Sequence, residues 1–122
     1  MWILSCNVRG LGKTEKRKMV RVLIASQKVE LVLIQEIMLP KVDDSLVSKV
    51  LGSSECKWVA VESVGGSGGL LCVWNPGVLN AISTIQNLNF ILIQASMDNF
   101  TCIIVNIYAP NDEVLEPLCL VI

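Results

Sequence analysis

The chain has 122 residues, 52% of them apolar and 17% charged, with a net charge of −1. That length admits one domain able to bury roughly two thirds of its unfolded surface, and a pI near 5.3 argues against a dedicated nucleic-acid-binding module, for which a value above ~9 is expected. The lack of any histidine excludes Ser-His-Asp and Cys-His nucleophilic pairs, imidazole-ligated zinc and a histidine general base.

Charge is unevenly placed. Residues 1–28 carry seven basic side chains against Glu15, giving +6, and residues 29–122 carry three basic against ten acidic, giving −7. Such a basic end reads either as a contact for polyanions or as a solvated helix face. Met1 to Cys6 has no basic leader and stops at Asn7 and Arg9, so no signal peptide is read. The uncharged stretch Ser63–Met97 is interrupted by glycines and Pro76 and falls short of the ~18 apolar residues a membrane helix needs, so no membrane partner is expected. Five widely spaced cysteines without a C-x-x-C pair read as reduced, buried thiols of an intracellular protein.

In chain order, residues 2–7 read as a strand that Gly10 and Gly12 terminate. A helix follows over Thr14–Gln27, with Met19, Val22, Leu23 and Ser26 as its buried stripe. Residues 30–36 form a second strand whose continuous apolar core, Leu31–Ile34, is expected where both faces of a sheet are covered. This is a strand–helix–strand unit with a right-handed parallel crossover. Asp43 and Asp44 open a short helix ending near Gly52. Short strands then follow at 57–63, 69–74, 81–85, 90–97 and 100–108, with Asp98-Asn99 as a hairpin turn. The chain therefore opens as βαβ and continues as a β meander, an α/β class.

Three apolar strands end in groups able to hold a metal or a phosphate: Asn7, Glu36, and the Tyr108-Ala-Pro-Asn111 turn. In open α/β sheets ligands gather at the carboxyl ends of strands, so neighbouring strands would bring Asn7, Glu36, Tyr108 and Asn111 together. Glu36 offers hard oxygen suited to Mg²⁺ or Mn²⁺, or serves as a structural strand-end residue. Tyr108 and Asn111 suit a phosphate oxygen, or simply make a turn. Lys16, Arg17 and Lys18 lie near a helix N-terminus, where the macrodipole disfavours cations. Asn7–Thr14 nearly spells a phosphate-cradling loop, with Asn7 where its first glycine belongs, so a degenerate P-loop nucleotide binder is one alternative. Gly65–Gly69 reads as a flexible hairpin loop, since no helix N-terminus follows it.

Together these stretches resemble the endonuclease/exonuclease/phosphatase superfamily, and especially the AP-endonuclease-like domain of plant LINE-type non-LTR retrotransposons. The likeness is carried by residues 3–12, Lys16-Arg-Lys18, Leu31–Glu36, Trp58–Val61, Ser67–Trp74 and Asn106–Asn111. It implies the N-terminal half, residues 1–112, of a DNase I-like two-sheet α/β sandwich, followed by a non-family tail at 113–122. It also implies a Mg²⁺-dependent (or Mn²⁺-dependent) phosphodiesterase acting on DNA, nuclear if functional.

By the same resemblance Glu36 and Asn7 hold the metal, while Asn7, Tyr108 and Asn111 serve the phosphate. Arg9, Lys13, Lys16, Arg17 and Lys18 are the nucleic-acid contacts. Arg9 stands where related AP endonucleases have an acidic residue. The family's remaining Asp and His residues belong to a second half not found in this sequence, so catalysis is expected to be incomplete. A non-catalytic nucleic-acid-binding remnant using the basic helix 13–28 is the other alternative. A half-sandwich should leave a sheet face without its partner, exposing an apolar patch open to the missing half or to self-association.

Overall fold

A computed structural model of the protein describes residues 1–52, 55–108 and 118–121. Chain order is β1 (Ile3–Asn7), α1 (Thr14–Gln27), β2 (Leu31–Gln35), α2 (Asp44–Leu51), β3 (Lys57–Val61), β4 (Leu70–Trp74), β5 (Asn80–Gln86), β6 (Phe90–Met97), β7 (Phe100–Ile107) and β8 (Leu118–Val121). A five-stranded sheet runs β3-β4-β2-β1-β8, and a three-stranded antiparallel sheet runs β5-β6-β7.

The opening βαβ unit is present: β1 and β2 pair in parallel, with Asn7 beside Gln35. α2 starts where Asp43 accepts a hydrogen bond from the Leu46 N–H (2.9 Å) and stops at Gly52 in the left-handed region, which supplies both ends with partners. The meander after α2 divides between the two sheets. β3 and β4 extend the first sheet by antiparallel pairing, and β5 to β7 form the second.

Strand alternation assigns the two faces of the larger sheet. Leu4, Cys6, Val8, Val32, Ile34, Leu71 and Val73 point toward the helices and meet Val20, Val47 and Val50. Leu31, Leu33, Leu70, Cys72 and Trp74 point the other way and meet Leu79, Ile91, Ile93 and Ala95. The architecture is thus a two-sheet α/β sandwich with helices on one side. The continuous apolar run of β2 is explained, because both its faces are buried.

Three expectations change, and one region gains a structural role. The larger sheet does have a partner sheet; the uncovered apolar face belongs instead to the outside of β5–β7, where Ile85, Ile103 and Ile107 are 60–66% exposed. α1 buries Val20 and partly Met19, Leu23 and Ile24, while Val22 and Ser26 are exposed, because α2 and the sheet meet the helix one residue round from the anticipated stripe. Cys6 and Cys119 are not reduced thiols: the β1–β8 register sets them opposite each other, 4.0 Å apart at Cα, and they form a disulfide. Leu118–Val121, within the expected tail, adds a strand to the edge of the main sheet.

Candidate functional site

Parallel pairing of β1 and β2 places the loops after them side by side, and the pairing continues beyond the strands. Val8, Gly10 and Leu11 donate their N–H groups to the carbonyls of Gln35 (3.1 Å), Glu36 (2.8 Å) and Ile37 (2.8 Å). These amides are therefore spent, so the near-P-loop cannot cradle a phosphate with them. Backbone strain collects at the same place. Arg9 (φ 50), Glu36 (φ 53) and Met38 (φ 54) all adopt left-handed conformations that non-glycine residues avoid, at a cost of order 1–3 kcal/mol each.

Antiparallel β4 begins where β2 ends, which brings the glycine loop to this end of the sheet as well. Ile37 and Met38 donate to the carbonyls of Gly69 (3.3 Å) and Gly68 (2.9 Å). A Cβ on Gly69, whose φ is +93, would lie 2.5 Å from Cγ1 of Ile37, and one on Gly68 would lie 3.7 Å from the Tyr108 ring. Tyr108 is thus set across the glycine loop from the segment that follows Glu36. The loop shapes the site, a role its composition alone did not reveal; the close-packed partner, Ile37, is known only from the tertiary structure.

A buried polar network supports the strand ends. Asn106, 1% exposed, donates through Nδ2 to the carbonyls of Ile34 and Leu71 (3.2 Å each). Its Oδ1 accepts from Gln35 Nε2 (2.8 Å), which lies 3.3 Å from Ser5 Oγ. The smaller sheet is so fastened to β2 and β4 immediately before Glu36. Sequence reasoning missed Asn106 as a site element; a lone amide inside the apolar strand Cys102–Ile107 was the available signal.

Asn7, on the face of β1 opposite Cys6 and Val8, has a buried Oδ1 that accepts no hydrogen bond among the described residues. Glu36 faces Arg9, with Nε 3.7 Å from Oε2 and side chains 28% and 15% exposed. Of the expected site residues the structure thus gathers Asn7, Arg9, Glu36 and Tyr108 at one end of the sandwich, while Asn111 lies outside the described residues. The basic helix residues do not act as one group. Lys13 reaches back toward Gly10 at the N-terminus of α1. Arg17 is engaged by the carbonyls of Leu11 and Gly12 and by Thr14, bracing the entry to α1. Lys18 lines a shallow groove with Met19, Val22 and Cys119. Among the described residues no three His, Cys, Asp or Glu side chains gather as metal ligands.

No family model matches the chain, and no curated protein matches it. Solved structures do share the fold. The AP endonuclease LMAP from Leishmania major superposes with a TM-score of 0.65 at 17% identity over 93% of this chain and 41% of its own. A humanized D. rerio TDP2 gives 0.65 at 14% identity over 86% and 45%. The endonuclease domain of TRAS1, a telomere-specific non-LTR retrotransposon, gives 0.61 at 16% identity over 93% and 48%. This chain has the fold of that part of those proteins. It spans less than half the length of each.

Proposed function

We propose that the chain is part of a divalent-metal-dependent phosphodiesterase of endonuclease type and retroelement origin, catalytically incomplete with its own residues. The observation that carries the reading is the buried, unsatisfied Asn7 Oδ1 on the strand beside Glu36, in a fold shared with AP endonucleases. An orphan amide oxygen and a carboxylate are hard donors that fit Mg²⁺ or Mn²⁺, ions that bind through one or two carboxylates and complete their shells with water and substrate phosphate. Bound there, the ion would stabilise charge on a transferring phosphoryl group.

The chain's own residues would do the rest of what they can. Glu36 and Asn7 hold the ion, and Tyr108 donates its hydroxyl to a phosphate oxygen. Lys13 adds positive charge at the mouth of the site. DNA is the partner this arrangement supports, and the uncovered face of β5–β7 supports association with further polypeptide, from a longer domain or a second copy. With no histidine in the sequence, water activation lacks its usual base, so turnover should fall by a factor on the order of 10²–10⁴ from that loss alone.

The test is Mn²⁺ binding, followed by electron paramagnetic resonance, together with nicking of supercoiled plasmid. Binding lost in Glu36→Gln, with little or no nicking by either protein, is the expected result. Mn²⁺ binding indifferent to both Glu36→Gln and Asn7→Ala would overturn the assignment. A non-catalytic nucleic-acid binder acting through helix 13–28 is the second reading. It is favoured by the +6 charge of residues 1–28 and weakened by Arg17 and Arg21 being engaged by backbone carbonyls.

A further inference from the structure

We infer that Arg9 is a built-in counter-cation of Glu36 which a divalent metal must displace, so that this chain restrains metal at its own candidate ligand. The inference rests on the metal reading above and adds a device to it. Arg9 Nε lies 3.7 Å from Glu36 Oε2, and with side chains only 28% and 15% exposed the pair is less screened than a surface ion pair.

The contact is built by the backbone. Arg9 and Glu36 both take left-handed φ values, and the bonds from Val8 to Gln35 and from Gly10 to Glu36 bracket them on either side. Two strained residues held in matched conformations by flanking hydrogen bonds point to an arrangement the surrounding structure enforces. Among the described residues no cluster of three acidic or thiol side chains competes with the guanidinium, and an arriving dication meets a positive charge at Glu36. Metal and guanidinium therefore exclude one another at Glu36.

The test titrates Mn²⁺ into the full chain and its variants, reading free Mn²⁺ by electron paramagnetic resonance with the melting temperature of each variant alongside. Arg9→Gln should bind about threefold or more tighter than the unsubstituted chain, Arg9→Lys should stay close to it, and adding Glu36→Gln to Arg9→Gln should remove the gain. If Arg9→Gln does not fold, Arg9→Asn replaces it, since asparagine tolerates a left-handed φ. Equal or weaker binding by the neutral variant, with Glu36→Gln still lowering affinity, would overturn the counter-cation and leave the metal site standing. Binding that ignores Glu36 in every background would overturn the metal site and this inference with it.

Discussion

The two sheets are built from similar apolar strands but differ in how they are covered. The five-stranded sheet has helices on one face and β5–β7 on the other, and its strand ends carry Asn7, Glu36 and the strained backbone around them. The three-stranded sheet has one buried face and one face of exposed Ile85, Ile103, Val105 and Ile107, and between Ser63 and Tyr108 the sequence holds a single charged residue, Asp98. Burial on both faces lets the first sheet hold strained, polar groups in place. The second sheet provides a wall, and presents to solvent a surface that charge does not protect from association.

The contrast can be broken most forcefully at the junction of the glycine loop with the Glu36 segment. Gly69→Ala should destabilise the chain by about 2–4 kcal/mol in urea unfolding, since it adds both a clash with Ile37 and a left-handed strain. A loss below about 0.5 kcal/mol would show that the two segments yield easily. Next in size is Asn106→Ala, expected to cost about 2–3 kcal/mol by stranding Gln35 and the Ile34 and Leu71 carbonyls. Gln94→Ala, on the open face of β6, should cost far less by the same measurement.

Alkaline pH probes the interface between the sheets through Cys72, which is fully buried and whose thiol is pushed up to about 12 by burial. Between the ordinary thiol value of ~9 and that one, the unfolded chain has lost the proton and the folded chain keeps it, so stability must fall as pH rises through this window. Cys72→Ala should flatten that decline in unfolding titrations at successive pH values. The smallest effect on stability belongs to the open face. Ile103→Thr with Ile107→Thr should change it by only about 0.5 kcal/mol each while reducing hydrophobic-dye binding and self-association on size exclusion. Dye binding that is unchanged would place the adhesive surface elsewhere, for instance in the groove beside α1.

Much of the fold was legible in the residues, since period and punctuation are local properties. The helix at 14–27, the strand carrying Leu31–Ile34 and the hairpin through Asp98 need only side-chain alternation, glycine breaks and turn chemistry to be read. Asn7 and Glu36 could be singled out because each follows an apolar strand. α1 was misread by one residue, because its exposed and buried flanks depend on where α2 and the sheet lie.

What the sequence by itself determined is the order and type of the elements and the polar groups at their carboxyl ends, because both follow from interactions within a few residues. What only the tertiary structure decided is which distant groups meet: Arg9 with Glu36, Gly69 with Ile37, Asn106 with Gln35, and Cys6 with Cys119. It also decided which sheet is left open. Those outcomes depend on the register and packing of strands up to 113 residues apart in the chain, and no local pattern encodes a distance of that kind.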